Sequence, residues 1–298
     1  MDESVIIIAF YRFVSLVDPR SIQEPLQGFC DKYDLKGTIL LAQEGINGTV
    51  SGSRLGIDKL IGYLESQAVF DHLEYKESKA DFQPFNRMKV RLKKEIVTIG
   101  IPKVDPRCGV GTYVAPEDWN KLITQEGVIL IDTRNEYEVA VGTFKNAVNP
   151  QTGSFRSFPE YVKSELRDKK NQPIAMFCTG GIRCEKSTAY LIEQGFQKVY
   201  HLKGGILKYL ERVPKEQSLW EGECFVFDQR VTVNHELKQG DYTQCFACRH
   251  PLSEEDRKSE DYLPGISCSY CIEDQTEEKR DRMEMRQKQI ALSANKNR

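Results

Sequence analysis

The sequence predicts an α/β protein whose central domain is a doubly wound, mostly parallel sheet, preceded by a smaller α+β domain and followed by a short cysteine-rich module. Three observations carry this reading. Residues 116–219 alternate helical patterns with short apolar runs, the first hundred residues follow the order βαββαβ, and two C-x-x-C pairs lie near the end of the chain. Alternation of the first kind implies parallel strands with helices on both faces.

The elements follow in order. VIIIAF reads as a strand and residues 19–33 as a helix. GTILLA and GTVSG bracket a glycine-rich turn, EGING, at residues 44–48. Residues 58–65 show a second helical pattern, and LEYKES and RMKVRLK read as strands. This order over residues 1–100 matches a ferredoxin-like sandwich with both helices on one face. Residues 101–115, rich in Gly and Pro, read as a linker. In the central domain VILIDTR, NAVNP, PIAMFC and KVYHL are strand candidates, separated by the helices PEDWNKLI, SFPEYVKSEL and CEKSTAYLIEQG. Residues 220–298 hold the cysteine-rich module and a tail whose mixed charges recur at helical spacing, with Glu278 and Arg282, and Glu284 and Lys288, as i,i+4 pairs. Such a tail reads as a solvated helix.

Composition narrows the class. With 298 residues, 40% apolar and 29% charged, the chain has material for two or three soluble units. A formal net charge of -2 leaves nucleic-acid contact to a local basic patch. MDESVIIIAFYRF starts with acids before a short apolar run, which is not a signal peptide, and no run approaches the roughly 20 apolar residues of a membrane helix. Nine cysteines without an export signal point to the reducing cytoplasm, with thiols serving as ligands or reactive groups.

The stretch AMFCTGGIRCEKS, residues 175–187, carries the chemistry. Cys178 ends an apolar strand, where α/β sheets place their ligand sites. Thr179, Gly180, Gly181 and Ile182 follow, and then Arg183. Gly180 and Gly181 allow left-handed angles, so the loop can curl into a helix N-terminus and point backbone N–H groups at the sulfur. With Arg183 nearby, the thiol should ionise below its free value and act as a nucleophile. Cys184, in the first turn of the helix, reads either as a resolving thiol for Cys178 or as a packing residue.

Two cysteine pairs, Cys245 with Cys248 and Cys268 with Cys271, have zinc-ribbon spacing, and a bound zinc would organise a segment too polar for a core of its own; redox-active dithiols or an empty site are the alternatives. His250 reads as a loop residue rather than a substitute ligand. RMKVRLK alternates strictly, so Arg87, Lys89, Arg91 and Lys93 share one face, either tracking an RNA backbone or shielding a sheet edge. There is no G-x-G-x-x-G motif after a strand for a flavin or nicotinamide, nor a haem motif. His72 and Glu74 are too isolated, among four histidines, for an iron site.

The central block resembles a rhodanese domain, with IDTRNEYEVAVGTFKNAVNP similar to its early strand and turn, and CTGGIR to its active-site loop. GTF at Gly142–Phe144 departs from the glycine–histidine pair of many rhodaneses. The resemblance implies that Cys178 can carry a persulfide, with the loop amides and Arg183 holding the sulfur or its substrate. A related phosphatase family uses a loop one residue longer, so this one favours sulfur or another small species. GTILLAQEGINGTVSG, CTGGIRCEKS, WEGECFVFDQRV and CFACRHPLS with PGISCSYC extend the likeness over residues 5–271. Together they resemble the bacterial rhodanese-like, oxygen-dependent tRNA uridine hydroxylases, which form 5-hydroxyuridine at the wobble position. That resemblance implies tRNA as partner and molecular oxygen as co-substrate. A thiosulfate-type sulfurtransferase and a non-enzymatic RNA-binding adaptor are the alternatives.

Overall fold

The structure is a computed structural model and describes residues 4–296. The first domain runs β1 (Val5–Phe13), α1 (Pro19–Lys32), β2 (Lys36–Ala42), β3 (Gly45–Gly52), α2 (Arg54–Glu65), β4 (Tyr75–Ala80) and β5 (Met88–Leu92). Its sheet has the order β4-β1-β3-β2-β5: the first four strands take the ferredoxin-like order, and β5 extends the expected βαββαβ pattern by a fifth strand, parallel to β2 at the edge. Helix α1 starts where the Asp18 side chain accepts the Arg20 N–H, with proline in its first turn, and α2 starts on Ser53. Alternation along β1 sends Ile6, Ile8 and Phe10 under the helices, where they pack with Leu26, Ile57 and Leu60. Ile7, Ala9 and Tyr11 therefore face the opposite side of the sheet.

One expectation changes here. EGING is not a turn, because the β2–β3 turn ends at Glu44 and residues 45–48 lie within β3. The glycines serve close packing instead: a Cβ on Gly45 would meet the Arg12 carbonyl, and one on Gly48 would lie 2.6 Å from the Phe10 ring.

The second domain comprises β6 (Thr112–Val114), α3 (Pro116–Ile123), β7 (Ile129–Asp132), α4 (Glu136–Val139), β8 (Gly142–Phe144), α5 (Phe158–Glu165), β9 (Ile174–Phe177), α6 (Ile182–Glu193), β10 (Val199–Leu202), α7 (Gly205–Arg212) and β11 (Trp220–Gly222). Four strands form a parallel sheet in the order β6-β10-β9-β7. Ile131, Ile174 and Met176 pack on one face against Phe158, Tyr190 and Leu191, while Leu130, Ala175 and Phe177 pack on the other against Trp119, Ile206 and Tyr209. This is the doubly wound, rhodanese-like core.

Three local expectations are corrected. NAVNP makes only an isolated bridge, Ile131 to Val148, since Asn146 takes a left-handed angle and Pro150 has no N–H to donate. The segment 101–115 is no passive linker: Thr112–Val114 form the edge strand β6, and Val104 belongs to the core of the second domain. Nor is residue 219 a seam. β11 pairs antiparallel with β8, and Trp220 enters the same aromatic cluster as Phe144 and Phe177.

The last unit contains the hairpin β12 (Cys224–Phe225) and β13 (Thr232–Val233), the hairpin β14 (Thr243–Gln244) and β15 (Pro251–Leu252), α8 (Glu254–Lys258), and a tail helix, α9 (Glu277–Lys296). An i,i+4 pair on α9 joins Arg280 and Glu284. Among the described residues no helix is long and apolar enough to cross a membrane.

The first two domains are clamped together by a triad around one buried lysine. Lys186 of α6, only 1% exposed, pairs with Glu44 at 2.8 Å and Glu95 at 2.5 Å. The turn between β12 and β13 also reaches the first domain, through Gln229 N–H to the Pro84 carbonyl and Arg230 to the Ser78 hydroxyl.

Candidate active site and metal site

Cys178 follows β9 directly and is fully buried. Gly181, at φ +101°, turns the loop into α6 and donates its N–H to Cys178 Sγ at 3.1 Å. Gly180 keeps ordinary angles, so only one of the two glycines serves the left-handed turn. Burial alone would push the Cys178 thiol up. A hydrogen bond with Cys184, the Arg183 charge and the backbone N–H groups of Cys184 and Gly181 outweigh it and hold the thiol well below its usual range. Burial and the neighbouring Cys178 push Cys184 the other way. Cys184 is fully buried and lies 3.7 Å from the Thr133 hydroxyl.

Arg183 does not reach for the sulfur. Its two terminal nitrogens grip Glu138 of α4 at 2.6 and 2.7 Å, so it acts on Cys178 through its charge. Burial opposes ionisation of Glu138, but Arg183 more than compensates and holds its carboxyl below the usual carboxylate range. Glu138 was missed in the sequence. Its signal was there in N-E-Y-E, because Asn135 and Glu138 form a capping box on α4.

The GTF departure turns out to be architectural. Phe144 packs edge-on against Phe177, Tyr209 and Trp220. Thr143 donates to Asp132, which also pairs with the fully buried Arg134.

A cavity of about 540 Å³ opens over the loop. The open sheet face of the first domain forms its far wall, through Tyr11, Thr38, Asn47 and Lys76. The β12–β13 turn forms the third side with Phe227, which is 63% exposed, and Arg230, which pairs with Asp228. These residues belong to the WEGECFVFDQRV stretch, whose role no local pattern discloses.

Lys89 and Arg91 of β5 register with Thr38 and Leu40, and so stand on the same sheet face as the cavity wall. Backbone bonds from Arg87 and Lys93 to β2 continue that ladder. Among the described residues none of the four has a carboxylate partner. His72 is exposed and contacts Asp71.

The four sulfurs of Cys245, Cys248, Cys268 and Cys271 lie within 4.8 Å of one another. Cys268 is 3.7 Å from Cys248 and 3.8 Å from Cys271. A tetrahedron with zinc–sulfur bonds of about 2.3 Å has edges of about 3.8 Å, so the thiols fit a structural zinc. His250 stacks on Tyr270 at 3.7 Å and stays out of the cluster. Little else holds this module, since its core adds only Leu252, with Ala247 and Tyr262 against it. Cys268→Ala is therefore expected to release about one zinc per chain and to open residues beyond 240 to protease, while the α/β core keeps its cooperative melt. Metal-free protein that resists cleavage there would count against a zinc-dependent module.

A parallel sheet with a buried cysteine, its thiol held below the usual range, at the end of an inner strand and a six-residue loop from Cys178 to Arg183 defines a rhodanese-like thiol protein. Residues 115–212 match the rhodanese-like domain model, and residues 5–96 match the UPF0176 acylphosphatase-like domain. These two domains, in this order, match the domain architecture of the UPF0176 family. Solved structures with a partial likeness to the chain include the following two. A rhodanese-related protein from Thermoplasma volcanium is 17% identical over 34% of this chain and 93% of its own, with a TM-score of 0.28. A rhodanese-like domain protein from Staphylococcus aureus is 25% identical over 33% of this chain and 90% of its own, also with a TM-score of 0.28. The rhodanese-like domain match supports a rhodanese-related function.

Proposed function

We propose that the protein hydroxylates the wobble uridine of tRNA to 5-hydroxyuridine, with molecular oxygen as co-substrate and Cys178 as the reactive, persulfide-capable thiol. The observation that carries this reading is the position of the cavity. An ionised thiol faces, across a space of about 540 Å³, a sheet face that continues into a row of uncompensated cations. A space of that size suits one unstacked nucleotide, and the row of Arg87, Lys89, Arg91 and Lys93 suits the phosphates that lead to it. Phe227 at the rim offers a surface on which a base can stack. Arg183 and the loop from Thr179 to Ile182 keep the thiol anionic, and the UPF0176 domain match accords with the reading.

The test is mass spectrometry of tRNA nucleosides from cells with and without the gene, grown in air and without oxygen. 5-Hydroxyuridine should depend on both the gene and oxygen. The short loop favours a second reading, sulfur transfer from a small donor, under which purified protein would release thiocyanate from thiosulfate and cyanide at the rate of a dedicated rhodanese.

A further inference from the structure

A loop that turns its N–H groups toward a sulfur must turn its carbonyls away, and each buried carbonyl then needs a donor. Two are supplied within the domain: the Cys178 carbonyl accepts from Ile206 N–H at 2.9 Å, and the Thr179 carbonyl from Leu207 N–H at 3.1 Å. Gly205 makes this possible, because a Cβ there would lie 2.5 Å from the Cys178 carbonyl. The third donor comes from elsewhere. The Gly180 carbonyl accepts from Lys76 Nζ at 2.9 Å, and Lys76 lies on β4 of the first domain.

The Gly180 carbonyl and the Gly181 N–H are two ends of one planar peptide group. Fixing the oxygen therefore aims the N–H, and that N–H is the one 3.1 Å from Cys178 Sγ. With glycine on both sides, no side chain restrains this peptide from flipping. We propose that Lys76 is a positioning residue for the Cys178 thiolate, through which the first domain holds the Gly180–Gly181 peptide in its sulfur-binding orientation. The lysine is itself held in place: its Nζ lies 5.5 Å from the Tyr11 ring centroid, and Tyr11 donates to Glu185 at 2.8 Å. The charged and titratable groups facing Cys178 are Arg183, Cys184 and Glu185 from α6, Tyr11 from β1 and Lys76 from β4; Glu74, Glu185 and Lys208 face Lys76. The inference rests on Cys178 being an activated thiol and not on the identity of the substrate.

The experiment measures alkylation of Cys178 by iodoacetamide against pH in the full-length protein, with the modified peptide followed by mass spectrometry. Lys76→Met should move the midpoint upward by about one pH unit, which slows alkylation about tenfold below both midpoints and leaves the high-pH plateau unchanged. Lys76→Arg, which retains donors and charge, should restore most of the shift. Gln229→Ala removes a different contact with the first domain, to Asn86, and should leave the midpoint in place. An unmoved midpoint in a cooperatively melting Lys76→Met protein overturns the proposal, as does an equal shift in Gln229→Ala. If the methionine variant fails to fold, Lys76→Gln, too short to reach the carbonyl, takes its place. A wild-type midpoint at the ordinary thiol value would overturn both this inference and the reading of Cys178 as activated.

Discussion

Under the proposed function, Cys178→Ser is expected to reduce 5-hydroxyuridine in tRNA to background, below about a thousandth of the wild-type rate, because removing a nucleophile removes the chemical step itself. The substitution is nearly isosteric, and the Gly181 N–H that points at the sulfur can point at a hydroxyl. Stability should therefore change by no more than about 1 kcal/mol. What is lost is ionisation: the Arg183 charge and the surrounding hydrogen bonds bring a thiol into the thiolate form but cannot do so for an alcohol. Nucleoside mass spectrometry on cells carrying only the variant checks this. Wild-type levels of 5-hydroxyuridine would remove Cys178 from the mechanism.

The largest loss of stability is expected from Glu138→Ala. Glu138 is fully buried and Arg183 nearly so, and the two terminal nitrogens of Arg183 both bond to the carboxylate. Deleting the carboxylate leaves an uncompensated buried charge, which costs about 3–5 kcal/mol. Denaturant unfolding of the α/β core reads this directly, and a loss under about 1 kcal/mol would show that water reaches the guanidinium. The pair also sets a pH dependence. Despite its burial, Glu138 has a carboxyl lowered in the folded state, so its contribution is present above the unfolded carboxylate value and is lost as pH falls through the folded one. The stability gap between wild type and Glu138→Gln should accordingly be widest at neutral pH and close in acid.

Most strands of the first domain and the longer strands and helices of the second were legible because their signals are local, whereas β6, α4 and α7 were not read. The apolar run VIIIAF, the period-two alternation in RMKVRLK, the strand ending at Cys178 and the C-x-x-C spacings each depend on residues a few positions apart. The same locality explains the errors. EGING has the composition of a turn, but its glycines answer to Arg12 and Phe10 across the sheet. Residues 101–115 have the composition of a linker, yet Thr112–Val114 find a partner in β10, which lies far along the chain.

By itself the sequence determined the α/β alternation, the cysteine at the end of its strand, the glycine that turns the loop, and the four thiols spaced for a metal. Only the tertiary structure decided that Arg183 spends its hydrogen bonds on Glu138, that the β12–β13 turn and the first domain wall the cavity, and that Lys76 anchors the loop from another domain. The physical reason is range. Backbone propensity and side-chain periodicity act over one or two turns, whereas these contacts join residues 45 to more than 100 positions apart, and depend on which faces remain uncovered once each domain has buried its own core.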